Sequence, residues 1–181
     1  MRYMITLPGI GGSGEDHWQS LWEKAEPQFV RFRPTSWDQP ELGDWIQSLE
    51  RAVSNCKQPP VLVAHSLACL LVVQWAMQSS LSIAGAFLVC VPDPDGPEFP
   101  SAAASFRPVP KKSLPFPSLV VASTNDPYGA LAYQRLCSAQ WQAGLIIAGA
   151  LGHINASSGL MDWPQGRGLL EAFCAGLPRP G

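Results

Sequence analysis

The sequence predicts an α/β fold, with a doubly wound and mostly parallel sheet of about six strands and helices on both faces. Short apolar runs recur along the chain, and their apolar character is continuous rather than alternating. Segments with helical spacing of apolar residues lie between these runs. Strands that are buried on both faces have this continuous character, and their alternation with helices is typical of parallel-sheet proteins.

The predicted strands are short, and most are rich in Val, Ile or Leu. They are Tyr3–Leu7, Phe29–Phe32, Val61–Ala64, Ile83–Val91, Leu119–Ser123 and Leu145–Ala148. In a fold of this class the carboxyl ends of the strands meet at one edge of the sheet, where ligands bind. Residues that follow a strand directly are therefore the candidates for function.

Five segments carry apolar residues three and four positions apart, which predicts helices. They are Asp16–Ala25, Pro40–Val53, Leu67–Met77, Ala130–Trp141 and Arg167–Cys174. The third is apolar almost all round, so we expect it to be buried. The stretch Asp93–Pro117 contains seven prolines and has weak periodicity. It predicts an irregular loop with a short helix, which either shapes an active site or only connects two elements at the surface.

The composition is that of a globular protein and predicts one domain over residues 1–181. Hydrophobic residues make up 46% of the chain and charged residues 14%, with a net charge of −2. This charge provides no basic surface for nucleic acid or for an anionic membrane. The five cysteines have neither disulfide nor zinc spacing, so we expect no metal site. No apolar stretch reaches about 18 residues and the first residues lack an apolar signal region, so we expect no membrane span and a cytoplasmic location.

Ser66 lies at a predicted turn from strand to helix, within Ala64-His65-Ser66-Leu67-Ala68. The nucleophile elbow of serine hydrolases has the pattern G-x-S-x-G, because strand and helix backbones pass close together at this turn. Here alanine occupies both small positions. A serine at this place is also a common helix N-cap, so the stretch alone supports both interpretations.

An acid and a histidine follow two later strands, in the chain order serine, acid, histidine that a triad has in such folds. Asp126 follows Leu119–Ser123, and His153 follows Leu145–Ala148 in a glycine-rich loop. Taken singly, Asp126 could form a turn before a proline and His153 could cap a helix. The three placements together favour Ser66 as nucleophile, Asp126 as acid and His153 as base.

Other polar residues near these positions have alternative roles. Asp93 and Asp95 follow the fourth strand and are the alternative acids, although the strand before the histidine is the usual donor. His65 precedes the serine at a sharp turn, so we interpret it as a structural or pocket-lining residue rather than the base. His17 lies just beyond the first glycine-rich loop and could line the cleft.

The loop Leu7–Gly14 is rich in glycine and follows the first strand. An acyl-transfer enzyme needs backbone N–H groups for its oxyanion. We expect these from Ile10 and Leu67, with Gly9 allowing close approach to the substrate. The glycines also fit the dinucleotide-binding pattern G-x-G-x-x-G, but no acidic residue ends the second strand, which favours a hydrolase.

Five segments resemble the YdeN-like group of small serine hydrolases, relatives of retinoblastoma-binding protein 9. They are LPGIGGSGEDHWQSLWE (7–23), SWDQPELGDW (36–45), VLVAHSLAC (61–69), FPSLVVASTNDPY (116–128) and GHINASSGLMDWPQGRGLL (152–170). The resemblance implies a reduced α/β-hydrolase fold without a cap domain, with Ser66 as nucleophile, Asp126 as acid and His153 as base. The chain departs from the group at Ala68, where many members have glycine.

These observations predict a metal-independent serine hydrolase that cleaves small ester or amide substrates through an acyl-enzyme and uses no cofactor. The alternative is a module that binds a protein or ligand on a hydrolase scaffold with little turnover, because a fold does not fix a function. The sequence leaves the acyl length, the choice of ester or amide and the oligomeric state open.

Overall fold

The computed structural model describes residues 2–178, which form one sheet of six parallel strands flanked by helices. The strands are β1 (Met4–Leu7), β2 (Phe29–Arg31), β3 (Val61–His65), β4 (Gly85–Val89), β5 (Ser118–Ala122) and β6 (Gly144–Ile147). Their order across the sheet is β2-β1-β3-β4-β5-β6, and every neighbouring pair is parallel. The predicted fold class is confirmed, and the sheet is wholly rather than mostly parallel.

Helices cover both faces of the sheet. They are α1 (Trp18–Ala25), α2 (Leu42–Ser54), α3 (Leu67–Ala76), α4 (Leu131–Trp141) and α5 (Pro164–Gly176). Apolar residues of α2, α3 and α4 form one core with one side of the central strands, whereas α1 and α5 form a second core with the other side. Successive strand residues enter opposite cores, as Leu62 and Val63 do, because side chains alternate across a strand.

The central helix α3 is buried over most of its length, as its apolar sequence predicts. Leu67 to Val73 and Trp75 are all at most 2% exposed. Cys69 and Cys90 are fully buried core residues. No helix among residues 2–178 is long and apolar enough to cross a membrane.

Two of the predicted element boundaries, one of a strand and one of a helix, were wrong, and each difference has a physical reason. The predicted strand Ile83–Val91 is a strand only over Gly85–Val89. Ile83, Cys90 and Val91 are buried core residues outside the strand, and Cys90 leaves the extended conformation with a φ of 55°. Helix α5 starts at Pro164 rather than Arg167, since proline is well suited to the first turn of a helix.

Residues 90–117 connect β4 to β5 without a cap domain. This stretch contains a single 3₁₀ helix, Ser101–Phe106, whose Ala103 and Phe106 are buried against the core of α2 and α3. The Arg107 guanidinium lies over the Phe99 ring, 5.1 Å from its centroid, and also donates a hydrogen bond to the Pro94 carbonyl. The predicted irregular loop with a short helix is therefore confirmed.

Candidate active site

The candidate site lies at the carboxyl edge of the sheet. Ser66 directly follows β3, Asp126 follows β5, and His153 lies beyond β6. Because all strands are parallel, their carboxyl ends point to this one edge. Three residues that are 60 and 27 positions apart in sequence are thereby brought together.

Ser66 has the strained backbone expected at a tight turn from strand to helix. Its φ of 57° and ψ of −127° lie in a region that residues with a side chain rarely adopt. Its N–H donates to the Val89 carbonyl at 2.9 Å, and α3 begins at the next residue. Ala64 and Ala68, the two small positions of the elbow, are fully buried.

The hydroxyl of Ser66 contacts a histidine rather than the helix. Its Oγ lies 2.8 Å from His153 Nε2. Among residues 2–178, the Ser66 side chain forms no hydrogen bond that caps α3. The N-cap interpretation therefore does not describe what this side chain does.

The other nitrogen of His153 is held by Asp126. His153 Nδ1 lies 2.7 Å from Asp126 Oδ1, which also accepts the Tyr128 N–H at 3.0 Å. A carboxylate can only accept, so Nδ1 carries the proton and Nε2 presents its lone pair to Ser66. Asp126 is 7% exposed and His153 is 8% exposed, which keeps the pair out of bulk water.

The alternative acids lie elsewhere. Asp93 Oδ1 accepts the N–H of Asp95, and the Asp93 N–H donates to the Tyr128 carbonyl. The structure thus brings Asp126 to His153, while Asp93 stabilises its own turn. Asp93 and Asp95 serve as control positions in a test of whether Asp126 is the acid that acts with His153.

Cys90 lies near the carboxylate of Asp126. Ligand atoms of Cys90, Asp126 and His153 lie within 4.8 Å of one another. Burial raises the pKa of the Cys90 thiol well above its ordinary value, and the Asp126 charge raises it further. The short contact between His153 and Asp126 is accounted for by their hydrogen bond, so we assign the group to the serine-histidine-acid arrangement rather than to a metal.

The glycine-rich loop packs directly against the Ser66 turn. A Cβ at Gly9 would lie 3.0 Å from Ser66 Cβ and 3.4 Å from the Leu67 backbone nitrogen. Gly11 and Gly12 have φ values of 80° and 74°, so the loop needs residues free to adopt the left-handed region. Gly9, Ile10 and Leu67 all line the same pocket as Ser66.

Arg31, at the end of β2, fixes this loop from behind. Its guanidinium donates to the carbonyls of Gly12 at 2.6 Å and Ser13 at 3.2 Å. Its other nitrogens pair with Glu23 at 3.0 Å and with the Ser20 hydroxyl at 2.7 Å. The second strand thus ends in a cation that supports the loop, rather than in the acidic residue of a dinucleotide site.

All three histidines of the chain lie in one row beneath the pocket. The ring centroids of His17 and His65 are 4.8 Å apart, and those of His65 and His153 are 4.9 Å apart. His65 Nε2 lies 2.8 Å from the His153 carbonyl, to which it donates. His65 therefore supports the segment that carries His153, in agreement with its predicted structural role.

Burial sets the charge of the two other histidines. It lowers the pKa of His17 to about 3, with further lowering by the charges of Arg31 and His153. Burial also lowers the pKa of His65 well below its ordinary value, with smaller contributions from His17 and His153. Both imidazoles are neutral at ordinary pH.

The pocket above Ser66 has a volume of about 450 Å³. Its walls include Ile10, Leu67 and Tyr128, and the Tyr128 ring lies 4.5 Å from the His153 ring. Pro92, Glu98, Phe99 and Pro100 form another wall, so the stretch of residues 93–117 contributes to the site. Sequence reasoning did not identify Tyr128, although its place two residues after Asp126 was a usable signal.

Comparisons with known proteins identify the family of the chain. The sequence model of the serine hydrolase family matches residues 4–172. The chain is 31% identical to a solved protein described as a YdeN-like hydrolase from Pectobacterium atrosepticum, with a TM-score of 0.86 over 98% of this chain and 94% of that one. A comparison with curated proteins gives no match.

More distant structures share the fold. The ydeN gene product of B. subtilis is 20% identical, with a TM-score of 0.81 over 97% of this chain and all 100% of that one. Est1E of Butyrivibrio proteoclasticus, solved with ferulic acid bound, is 12% identical, with a TM-score of 0.69 over 96% of this chain and 90% of that one. The family match and the 31% identical structure from Pectobacterium atrosepticum show the family of the chain. It belongs to the serine hydrolase family, within the α/β-hydrolase superfamily.

Proposed function

We propose that the protein hydrolyses small carboxylic esters or amides through an acyl-enzyme formed on Ser66. The observation that carries this proposal is the contact series from Ser66 Oγ to His153 Nε2 at 2.8 Å and from His153 Nδ1 to Asp126 at 2.7 Å. The proposed nucleophile is thereby within hydrogen-bond distance of the proposed base, and the base is within hydrogen-bond distance of the carboxylate proposed to orient it.

In the proposed first half-reaction, Ser66 Oγ attacks the substrate carbonyl carbon and gives its proton to His153 Nε2. Asp126 stays ionised, holds the imidazole in one tautomer and stabilises the imidazolium. The carbonyl oxygen becomes an oxyanion, for which the Ile10 and Leu67 N–H groups are the proposed donors. When the intermediate collapses, the bond to the alcohol or amine breaks and His153 returns the proton to that leaving group.

The second half-reaction repeats these steps with water. His153 Nε2 takes a proton from a water molecule, whose oxygen attacks the acyl carbon. The bond from this carbon to Ser66 Oγ then breaks, and the serine recovers its proton from His153. The products are a carboxylic acid and a free enzyme, so each turnover consumes one water.

The pocket supports a small substrate with an apolar part. Its volume of about 450 Å³ lies in the lower half of the range that small-molecule sites occupy. Ile10 and Tyr128 are each 39% exposed at its rim, and Phe99 lies in its wall. These side chains suit a short acyl chain or a small aromatic group better than a long lipid chain.

The test combines covalent labelling with hydrolysis of p-nitrophenyl acetate and butyrate. A fluorophosphonate probe should label the wild type at Ser66, and Ser66→Ala should abolish both labelling and hydrolysis. Ser113→Ala is the matched control, because Ser113 is exposed in a loop outside the pocket. Equal hydrolysis by the wild type and Ser66→Ala would contradict the proposal and favour the binding-module interpretation.

A further inference from the structure

Glu98 brings a negative charge to the pocket above Ser66. It is an exposed residue of the segment 92–100, and it lines the same pocket as the serine. Glutamate side chains are ordinarily ionised at neutral pH. The proposed reaction on Ser66 makes no use of this carboxylate, so its place in the pocket wall asks for another explanation.

The other side chains of this pocket that could carry a charge near neutral pH are three histidines. Burial keeps two of them neutral, because it lowers the pKa of His17 to about 3 and the pKa of His65 well below its ordinary value. The third, His153, is the proposed base. In the described part of the chain, no lysine or arginine lines the pocket. Glu98 therefore gives the pocket wall a negative charge that no cation of the wall offsets.

The Glu98 carboxylate is also unpaired elsewhere. Within residues 2–178, no nitrogen of a basic side chain lies within ion-pair distance of it. Arg107 holds the same segment, but it lies over the Phe99 ring, donates to the Pro94 carbonyl and lines a different cavity. The Glu98 side chain is thus available to a positive group that enters the pocket.

An aromatic ring in the same pocket favours the same kind of ligand. Tyr128 is exposed and lines the pocket together with Glu98. The face of an aromatic ring attracts cations, and organic ammonium groups are commonly bound by such rings. A carboxylate and a tyrosine ring in one cavity therefore suit an ammonium group, whereas an anionic group would be repelled by Glu98.

We propose that Glu98 is a specificity-determining residue, which makes the enzyme prefer esters or amides that carry an ammonium group over their uncharged equivalents. Attraction between charges acts over several ångströms, so the carboxylate does not have to touch the substrate. Because Glu98 is exposed, water weakens this attraction and the preference is modest. This inference rests on the proposed function and adds the chemical class of its substrate.

The test uses two pairs of esters in which a trimethylammonium group replaces a tert-butyl group of nearly the same shape. On the alcohol side, acetylcholine is compared with 3,3-dimethylbutyl acetate in a pH-stat. On the acyl side, p-nitrophenyl 4-(trimethylammonio)butanoate is compared with p-nitrophenyl 5,5-dimethylhexanoate by absorbance. The charge preference is the kcat/KM of the cationic ester divided by that of its uncharged partner. Dividing the charge preference of a variant by that of the wild type cancels the intrinsic reactivity of the esters.

The variants are Glu98→Gln, which removes the charge and keeps the shape, and Glu98→Lys, which reverses the charge. Both should fold, because the side chain is exposed. We expect Glu98→Gln to lower the charge preference of at least one pair by about 2- to 5-fold, the value of one exposed ion pair. Glu98→Lys should lower it further, since repulsion replaces attraction. Asp95→Asn is the matched control, because Asp95 is an exposed acid of the same segment that lines a different cavity.

Ionic strength provides a readout that a change in packing would not mimic. Raising the salt concentration from about 0.01 M to about 1 M shortens the range of electrostatic attraction from about 30 Å to about 3 Å. The charge preference of the wild type should therefore fall toward that of Glu98→Gln, whose own preference should change less.

The pair that changes identifies whether the ammonium group lies on the acyl or the alcohol side. If Glu98→Gln and Glu98→Lys hydrolyse the uncharged esters and keep both charge preferences, the assignment of Glu98 is wrong and the proposed function stands. An equal decrease in Asp95→Asn would also overturn the assignment, since the effect would then come from the overall charge of the protein. If the wild type hydrolyses none of the four esters, the inference fails, and fluorophosphonate labelling of Ser66 then decides whether the proposed function fails with it.

Discussion

Gly9 and Ser66 lie opposite each other just beyond the carboxyl ends of the neighbouring strands β1 and β3, and each is two residues past the register pair Leu7–Ala64. A Cβ at Gly9 would approach Ser66 Cβ to 3.0 Å and the His65 carbonyl oxygen to 3.2 Å. The register of β1 and β3 therefore brings the glycine-rich loop to the serine, and a residue with a Cβ would fit at Gly9 only if the loop or the Ser66 turn shifted by a few tenths of an ångström.

Replacing Gly9 with alanine should impair the reaction more than the fold. The added methyl group must move the loop away from Ser66, and the Ile10 and Leu67 N–H groups would no longer fit one oxyanion. We expect kcat/KM for p-nitrophenyl butyrate to fall at least tenfold, since loss of one oxyanion donor costs about 100- to 1,000-fold. Gly14→Ala is the control, because in the described part of the chain no atom lies within 4 Å of its added Cβ. Equal activity of the two variants would contradict the role of Gly9.

Replacing Asp126 with asparagine should lower kcat by about 10³- to 10⁴-fold, because an amide does not hold the histidine in the required tautomer. Asp93→Asn and Asp95→Asn are the controls, since both residues lie in the neighbouring turn and Asp93 bonds to Asp95. Steady-state kinetics of the three variants measure the difference. A larger loss from either control would identify a different acid.

Lowering the pH from 7 to 5 should destabilise the protein through His17 and His65. In the unfolded chain both take up protons near their ordinary pKa of 6.5, whereas the folded state keeps them neutral, His17 down to about pH 3. The unfolded state therefore binds more protons, and the free energy of unfolding falls as the pH falls below 6.5. We expect His17 to contribute a loss of about 2 kcal/mol over this range, and His65 to add a further loss in the same direction.

Urea denaturation at pH 7, 6 and 5 measures this loss. In His17→Asn the decrease should be less steep than in the wild type, because one of the two histidines is gone. A free energy of unfolding that is unchanged between pH 7 and 5 in the wild type would show that these histidines are not kept neutral by burial.

Two glycines of α5 should respond in opposite directions to alanine. A Cβ at Gly166 would lie 2.1 Å from the Trp163 ring, which is 2% exposed and packs 5.3 Å from Trp18. Overpacking of this kind costs about 1–3 kcal/mol. At Gly168, which is exposed, no atom of residues 2–178 lies within 4 Å of an added Cβ. Gly168→Ala should therefore stabilise by about 0.5–1 kcal/mol through helix propensity.

Thermal unfolding monitored by circular dichroism compares the two variants. Gly166→Ala should unfold at a lower temperature than the wild type, and Gly168→Ala at a higher one. If both change stability in the same direction, the contact between Gly166 and Trp163 does not govern packing at this end of α5.

The grouping of Ser66, Asp126 and His153 was predictable because the topology of a parallel sheet determines where residues that follow its strands lie. Each follows a buried strand, and in a parallel sheet all such positions lie on one edge. The local pattern around Ser66 was weaker, since alanine replaces glycine at both small positions. The catalytic roles of the three residues stay predictions until the variants are measured.

The environment of His17 could not be predicted to the same degree. Its sequence position beyond the glycine-rich loop indicated only that it could line the cleft. Its Nδ1 accepts the Gln19 N–H at 3.2 Å, and its Nε2 is buried without a hydrogen-bond partner among residues 2–178. These are properties of tertiary packing, which spacing along the chain does not specify.

Residues 92–100 form part of the pocket wall but belong to neither a strand nor an α-helix. The Arg107 side chain holds this segment by packing over the Phe99 ring and donating a hydrogen bond to the Pro94 carbonyl. These contacts are independent of the hydrogen bonds between the strands of the sheet. This wall of the pocket is thus built separately from the sheet whose carboxyl edge carries Ser66, Asp126 and His153. Libraries randomised at Glu98, Phe99 and Pro100 should change substrate range while the scaffold still folds, which makes this segment a natural target for directed evolution.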